Sequence, residues 1–156
     1  MRLQLENAKD KLDLDSVLMT GRGIQVTAGV TGFGLPPIQT RWTERAGDGA
    51  VFRSRRARPR DIDLPLTIVG RNRADLQALF SRLASMLAGP CRLRTIEDDG
   101  SSWWTTVHWV GGGQYAHGID THGPDDNEVD IVITVRAPDP YWTAEKASQK
   151  ILGGAA

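Results

Sequence analysis

The chain has 156 residues, the length of about one domain, and its 19 basic residues balance its 19 acidic ones. This balance argues against a general nucleic-acid or membrane-surface binder, which would carry a basic excess. A single cysteine, Cys91, excludes an intrachain disulfide and a cysteine-rich zinc site. The charged first residues and the lack of an apolar run of about 20 residues predict neither a signal peptide nor a membrane helix.

The chain opens with short stretches that alternate apolar and polar residues. Leu3 and Leu5, then Leu12 and Leu14, follow the period of two that is typical of strands, and the apolar residues 17–19 come directly after them. We therefore predict an opening pair of short strands.

Residues 20–37 contain five glycines and two prolines and leave few side chains to bury. We predict a long exposed loop with at most one strand, at 24–26, and expect it to project and become ordered against a partner. Residues 38–44 then predict a strand with Trp42 on one face, and the glycines at 47–49 predict a turn.

Residues 50–57 and 60–70 predict an arginine-rich hairpin that turns at Arg58 and Pro59. The second arm alternates isoleucine or leucine with other residues, which is typical of a half-buried strand. Pro65 lacks an N–H for a ladder hydrogen bond, so it favours a strand edge or a bulge at that position.

One helix is predicted over residues 73–88. Asn72 is suited to cap its N-terminus, Asp75 lies in the first turn where an acid favours the helix dipole, and Gly89 with Pro90 ends it. A single apolar stripe at helical spacing is formed by Leu76, Leu79, Phe80, Leu83, Met86 and Leu87. One stripe predicts that the helix packs one face on a sheet.

Three further strands are predicted at 91–97, 102–110 and 128–136, with glycines 111–113 ending the second one and a polar loop at 114–127. The order of strands, one helix and strands predicts an α+β fold that is mainly β. We expect an antiparallel β-sandwich or split barrel with one flanking helix.

The balanced total hides an uneven distribution of charge. Nine arginines and four acids lie between residues 41 and 73, whereas eight acids and no lysine or arginine lie between 97 and 130. Three interpretations remain open: two solvated faces that pair within one molecule, complementary surfaces that join subunits head to tail in a ring, or a nucleic-acid groove. The groove lacks the interleaved aromatic residues of a stacking platform.

Residues that could carry out chemistry are few. His117, Asp120 and His122 share one glycine-containing loop, where we expect a solvated polar loop rather than a metal site. Cys91 lies on the apolar phase of a strand, which favours a buried structural thiol over a nucleophile. No pair of carboxylates stands out for acid–base catalysis, so we predict no enzyme activity and no cofactor.

Tryptophan makes up five of the ten aromatic residues. Trp103 and Trp104 are neighbours on one predicted strand, so their side chains point to opposite faces of the sheet. One can enter the core, while the other favours a second layer or a partner, because tryptophan is enriched at interface centres.

Several motifs together resemble a known family. They are the arginine-rich strand of residues 60–70, the helix that contains residues 74–83, a tryptophan-bearing strand that ends in three glycines, and the closing sequence Ala-Pro-Asp-Pro-Tyr-Trp at 137–142. Over residues 1–142 this arrangement resembles the N-terminal domain of siphophage distal tail proteins (Dit).

The resemblance implies a non-enzymatic virion protein with a fold similar to tail-tube proteins. Such proteins are expected as rings of six subunits at the distal end of a long tail, in contact with the tail-tube protein and the tail-tip hub protein, with DNA passing through the lumen. The resemblance also implies assembly in the host cytoplasm and a ring domain at 1–142. Many members of that family carry a second domain after this point, whereas here we expect only a short tail at 143–156, as in a ring-only version or a truncated chain.

A lumen that passes DNA should avoid strong arginine contacts with phosphate, so we expect the arginine cluster to face a neighbouring subunit. The candidate subunit interface comprises Arg53, Arg55, Arg56, Arg58, Trp103 and Trp104. Two alternatives remain: a tail-tube or hub-adaptor subunit on the same fold, and a carbohydrate-binding β-sandwich that uses an exposed tryptophan.

Overall fold

The computed structural model describes residues 1–27, 29–115 and 127–145, and the backbone of 150–151. The two helices are α1 (Ser16–Thr20) and α2 (Arg73–Leu87). The strands are β1 (Arg2–Glu6), β2 (Lys11–Asp13), β3 (Gly23–Val26), β4 (Ile38–Glu44), β5 (Ala50–Ala57), β6 (Arg60–Val69), β7 (Cys91–Ile96), β8 (Ser102–Gly112), β9 (Glu128–Ala137), β10 (Trp142–Ala144) and β11 (Lys150–Ile151).

The main sheet is a nearly closed antiparallel barrel, in the order β2-β1-β7-β8-β9-β6-β3. Leu14, just after β2, joins the two ends of this sheet. The Leu14 N–H donates to the Leu3 carbonyl at 3.0 Å, and the Leu14 carbonyl accepts from the Val26 N–H at 2.6 Å. The predicted class, mainly β with antiparallel strands in a split barrel and a flanking helix, is confirmed.

Alternation of side chains along β6 and β9 builds the centre of the barrel. In β6 the side chains that point into the barrel are Ile62, Leu64, Leu66 and Ile68, all at most 1% exposed. The paired strand β9 contributes its own inward isoleucines and valines. Burial of each large aliphatic side chain contributes about 1.5–3 kcal/mol, and a slip of one residue would turn the whole row outward. The two strands are therefore held in register by their apolar rows.

Helix α2 forms where the apolar stripe predicts it. The Asn72 side chain accepts a hydrogen bond from the Asp75 N–H at 2.9 Å, which caps the N-terminus. The stripe from Leu76 to Leu87 is buried except for Phe80, which is partly buried. At Gly70 an added Cβ would lie 2.6 Å from the Leu76 nitrogen, so the approach to the helix requires glycine. Among the described residues no helix is long and apolar enough to cross a membrane.

A second helix, α1, occupies the apolar residues 17–19 that follow the opening strands. Its end is set by Gly21, which has φ +77° and donates its N–H to the Val17 carbonyl at 2.8 Å. The expectation of a single helix is therefore corrected: three consecutive apolar residues with no alternation, followed by glycine, formed a short helix instead of strand.

The hairpin predicted over 50–57 and 60–70 is wrong in its pairing. Strand β5 pairs with β4, around the turn at 45–49, while β6 pairs with β3 and β9. The physical reason is that β5 has no inward apolar row: none of its side chains is buried, so it cannot contribute to the barrel wall beside β6.

Pro65 lies where the sequence predicts, at a local edge. Strand β3 ends at Val26, opposite Leu66, and the next residue, Thr27, donates its N–H to the Pro65 carbonyl at 2.9 Å. The nitrogen of Pro65 faces Thr27 on that same side and has no N–H to return the bond, so the β3–β6 ladder ends at this pair.

The ends of two predicted elements differ from expectation. Strand β8 runs on to Gly112 through a bulge between Trp109 and Gly111, and a Cβ at Gly112 would lie 2.2 Å from the Val132 carbonyl oxygen. The sheet also continues past residue 142, because β10 pairs with β8 and with β11.

Candidate functional site

Residues 38–57 form the β4–β5 hairpin, termed the arm. The arm is a two-stranded sheet separate from the barrel, and every side chain of β4 is exposed. An isolated two-stranded hairpin is only marginally stable in water, and the arm lacks the packing that stabilises the strands of the barrel.

One face of the arm is aromatic. Trp42 and Phe52 lie opposite each other with ring centroids 5.2 Å apart at 71°, an edge-to-face contact. The Trp42 indole N–H donates to the Thr40 hydroxyl at 3.0 Å, which places both residues on the face that also holds Ile38. Ile38, Trp42 and Phe52 are 51%, 58% and 50% exposed, and the pair between them on this face is Thr40 with Arg55, so the arm presents exposed apolar side chains beside an arginine.

The other face of the arm is basic. Gln39 pairs with Arg56 and Arg41 pairs with Ser54, and paired residues share a face. Arg53 is an extra residue in β5, because the register shifts between Arg41 and the next residue, and its Nε donates to the Thr43 hydroxyl at 2.9 Å.

The arginines of the arm carry uncompensated charge. Among the described residues, the ion pairs include none of Arg53, Arg55, Arg56 and Arg58; Arg58 instead donates to the Gln39 side-chain carbonyl at 3.0 Å. By contrast, the barrel arginines bonded to carboxylates are Arg22, Arg82, Arg94 and Arg136. The candidate interface arginines therefore lie together, on or beside the arm, and are free to meet acidic groups.

A buried arginine closes the base of the arm. Arg60 is 1% exposed, and its Nη1 donates to the carbonyls of Gly32 at 2.9 Å and Gly34 at 2.8 Å. Its Nε and Nη2 donate to the Pro140 carbonyl, and burial lowers its pKa. Arg60 is thus unavailable to a partner, unlike the other arginines of this region.

The same contacts correct the expectation for the glycine-rich segment. Thr31 exchanges backbone hydrogen bonds with Asp63, and a Cβ at Gly32 would lie 2.2 Å from the Asp61 carbonyl oxygen. Residues 31–34 therefore pack against the barrel instead of projecting, and the part that projects is the arm that follows. The strand predicted at 24–26 is present as β3.

Trp103 and Trp104 point to opposite faces of β8. Trp103 packs against the core near the Phe33–Trp142 pair, whose ring centroids are 5.8 Å apart. The Arg92 guanidinium lies 4.0 Å from the centroid of Trp104, a cation–π contact that covers one face of that ring. Both tryptophans lie on β8 in the barrel sheet, whereas Arg53, Arg55 and Arg56 lie on the separate sheet of the arm.

An apolar cavity of about 390 Å³ lies beside Trp103. Its lining residues are Met1, Phe33, Gly34, Thr95, Glu97, Trp103 and Trp142. An acidic turn, residues 97–99, stands at its rim: Asp98 is fully exposed, 3.7 Å from the N-terminal ammonium. Asp99 accepts hydrogen bonds from the hydroxyl and N–H of Ser101, which lower its pKa.

The remaining described acids of the 97–130 stretch lie on the outer face of β9. There Asp130 accepts a hydrogen bond from the Thr67 hydroxyl at 2.5 Å. The adjoining outer face of β6 holds Asp61, whose pKa is lowered by its bond to Arg136, 2.7 Å away. This acidic face is thus partly neutralised by its own neighbours, whereas the acidic turn at 97–99 is more open.

The described side chains that could take part in catalysis or metal binding are not arranged to do so. Burial raises the pKa of the Cys91 thiol to about 11, which suppresses the nucleophilic thiolate. Within residues 1–27, 29–115 and 127–145, no cluster of three or more metal-ligating side chains occurs. His117, Asp120 and His122 lie outside the described residues.

Neither the role of Arg60 nor the cavity was predicted from the sequence. For Arg60 a signal exists: it shares the inward phase of β6 with Ile62 and Leu64, so alternation alone places its side chain inside. The cavity offers no such signal, because Phe33 and Trp142 come from distant segments.

Comparison with solved structures gives similar folds. The chain matches SPP1 Dit (gp 19.1), described as a paradigm of the hub adsorption apparatus in phages that infect Gram-positive bacteria, with TM-score 0.63 and 16% identity over 91% of this chain and 52% of that one. It also matches a chain of the phage p2 baseplate in its activated conformation with Sr, with TM-score 0.66 and 10% identity over 87% of this chain and 43% of that one.

No protein-family model and no curated protein matches the sequence. The chain spans about half the length of the two solved chains, so the likeness concerns one part of each. The fold of this protein is accordingly that of phage distal tail and baseplate proteins.

Proposed function

We propose that this protein is a structural subunit of the tail tip of a long-tailed phage, related to the distal tail proteins. In this role it forms a ring, taken as a hexamer, that joins the tail-tube protein to the tail-tip hub protein and lets DNA pass through its lumen. The observation that carries the proposal is the match in fold over 91% of the chain to SPP1 Dit.

The distribution of charge supports assembly into a ring. A ring needs two different surfaces on each subunit, one that meets the next copy and one that meets the previous copy. The arm supplies unpaired arginines, and the acidic turn at 97–99 supplies exposed carboxylates elsewhere on the chain. Complementary charges of this kind favour the head-to-tail register and disfavour like-with-like contacts.

Passage of DNA constrains where the arginines lie. Contacts between arginine and phosphate would retain DNA in the channel, so the arm arginines face a neighbouring subunit in the proposed ring. The outer face of β6 and β9 is better suited to a lumen, because it holds Asp61 and Asp130, and its exposed arginine, Arg136, is bonded to Asp61.

The proposed role needs no catalysis. The proteins similar in fold are phage tail and baseplate components, and Cys91 is buried with a raised pKa. In this role the protein is part of the virion, is assembled in the host cytoplasm, and has protein neighbours above and below but no cofactor.

The experiment that tests the proposal measures assembly of the purified chain. Light scattering after size-exclusion chromatography and negative-stain electron microscopy should show single rings with an open channel, and native mass spectrometry should give six copies. A monomer at every concentration tested would overturn the proposal. Long stacks of rings would instead favour the tail-tube alternative.

Charge reversal tests the arginine interface. We expect Arg55→Glu, Arg56→Glu and Arg58→Glu together to abolish the rings and yield monomers. The matched control reverses three exposed charges away from the arm and from the 97–99 turn, Lys9→Glu, Lys11→Glu and Arg71→Glu, and should keep the rings. Rings that persist in the first variant would remove the arm arginines from the interface.

A further inference from the structure

We infer that the aromatic face of the arm in one copy docks into the apolar cavity of the next copy. The arm contributes Trp42 and Phe52, and the cavity receives them between Phe33, Trp103 and Trp142. This inference rests on the proposed ring and names the surface that receives the arm.

The aromatic face of the arm is largely uncovered in the single chain. Trp42 and Phe52 contact each other, yet both remain at least half exposed, which is unusual for large aromatic side chains in the absence of a partner. Aromatic side chains can each bury about 150–250 Å² and dominate the centres of interfaces. A surface of this kind favours a concave apolar site as its complement.

The chemistry of the cavity matches that face. Three aromatic rings, those of Phe33, Trp103 and Trp142, line it, with Met1 at its side. Its charged lining residue, Glu97, begins the acidic turn. An apolar floor with an acidic rim is complementary to an aromatic face flanked by arginines, because the rings fill the floor while the guanidinium groups meet the carboxylates.

The arm does not fill the cavity of its own chain. Phe33 and Gly34 line the cavity and lead into β4, so the cavity lies at the base of the arm. A strand rises about 3.3 Å per residue, so β4 carries Trp42 roughly 13 Å beyond Ile38. Among the described residues that line the cavity, none comes from the arm. An arm that fills this cavity must therefore come from a second copy.

A contact between the arm of one copy and the cavity of the next is also compatible with a closed ring. The arm and the cavity are different surfaces, so each copy both donates an arm and receives one. A contact of this heterologous type propagates from copy to copy and closes when the rotation allows, whereas a contact between two arms would stop at a dimer.

Cysteine cross-linking locates the docked arm. Ala50→Cys and Asp98→Cys are combined in one chain; Ala50 is exposed on the aromatic face two residues before Phe52, Asp98 is fully exposed beside the cavity, and the native Cys91 is buried. A short bismaleimide should convert this double variant into a covalent ladder on a denaturing gel. Each single variant alone should remain a monomer, and a 1:1 mixture of the two should give dimers only.

Two further pairs control for chance encounters and for a rival surface. Ala50→Cys with Asp130→Cys places the second thiol on the outer face of β9 and should give no ladder. Ala50→Cys with Val132→Cys tests a rival surface, the outer face of β9 at the exposed Val132. A ladder from this pair, without one from the Asp98 pair, would overturn the inference.

Truncation of the aromatic face measures its contribution. Trp42→Ala with Phe52→Ala should raise the subunit concentration needed for half-assembly by at least about tenfold, since aromatic anchors dominate interface energetics. Thr43→Ala, on the opposite face of β4, should change that concentration less than about threefold, because residues outside the anchor cluster contribute little.

The two proposals fail separately. A wild-type chain that never assembles contradicts the proposed ring. A wild-type chain that forms rings, with no ladder from the Asp98 pair and unchanged assembly after truncation of Trp42 and Phe52, contradicts only the docking inference.

Discussion

The Arg60 guanidinium donates two hydrogen bonds to the carbonyl oxygen of Pro140, from Nε at 3.1 Å and from Nη2 at 2.8 Å. Together with the bonds from Nη1 to Gly32 and Gly34, they join the glycine-rich segment, the first residue of β6 and the turn before β10. The buried positive charge of Arg60 is stabilised by backbone carbonyl groups of these segments. If one segment moved away, the guanidinium would lose part of that stabilisation, so the positions of the segments depend on one another.

Replacement of Arg60 should destabilise the barrel. Arg60→Met keeps the apolar volume but leaves three carbonyls without their donor, so we expect the free energy of unfolding to fall by about 2–4 kcal/mol. Urea denaturation followed by tryptophan fluorescence measures this change. The control Arg58→Met removes an exposed arginine and should stay within about 0.5 kcal/mol of the wild type. Equal effects of the two substitutions would contradict the assigned role.

Gly32 and Gly29 form a matched pair for testing close backbone approach. Both have positive φ, +102° and +100°, but only at Gly32 would a Cβ meet the barrel, 2.2 Å from the Asp61 carbonyl oxygen. We expect Gly32→Ala to cost about 3 kcal/mol or more, and Gly29→Ala about 1–2 kcal/mol from its φ alone. Thermal unfolding by circular dichroism should separate the two variants, and similar melting temperatures would argue against the contact.

Two carboxylates should make the fold sensitive to acid. The pKa of Asp75 is held well below its usual range by hydrogen bonds from the Arg22 side chain and the Arg71 N–H, and bonds from Arg82 lower the pKa of Asp10 to about 2. A depressed folded pKa stabilises the fold above the unfolded value of about 3.9, and this stabilisation is lost as the pH falls toward the folded value.

We therefore expect the melting temperature to drop between about pH 4 and pH 2. The double variant Asp10→Asn with Asp75→Asn should melt earlier at neutral pH and show a shallower drop. Asp48→Asn, in the exposed turn of the arm, serves as the control and should follow the wild-type profile. An unchanged slope in the double variant would show that other groups govern acid unfolding.

Cys91 should resist thiol reagents in the native protein. With a pKa of about 11, only about a thousandth of the thiol is ionised at pH 8, and the side chain is buried. Ellman's reagent should release no colour from the folded chain within minutes and one equivalent after addition of guanidinium. The variant Asp98→Cys provides the comparison, with one thiol reacting at once.

The sequence pattern predicts elements better than their pairing. The stripe from Leu76 to Leu87 and the inward row of β6 each follow from a local period, because burial of one face is a local property. The partner of β5 does not follow from such a period. A hairpin could turn at 45–49, which pairs β5 with β4, or at Pro59, which pairs β5 with β6. The absence of an inward apolar row in β5 favours β4 as its partner.

The candidate site was predictable in part. Runs of arginine indicate a basic surface, and the structure places Arg53, Arg55 and Arg56 on the arm. The aromatic face was not predictable, because the bulge at Arg53 decides which residues of β5 stand beside Trp42, and a bulge leaves no clear trace in the sequence. The cavity depends on tertiary packing between distant segments.

The two backbone hydrogen bonds of Leu14, which join the ends of the barrel sheet, also affect how other chains can pair with it. An open sheet edge is a template on which other polypeptides can add strands and start aggregates. By bonding Leu3 on one side and Val26 on the other, Leu14 occupies the gap where a foreign strand would otherwise insert. The barrel therefore offers no free backbone edge at this position, and the open strand edges of the described fold that lie outside it include those of the arm.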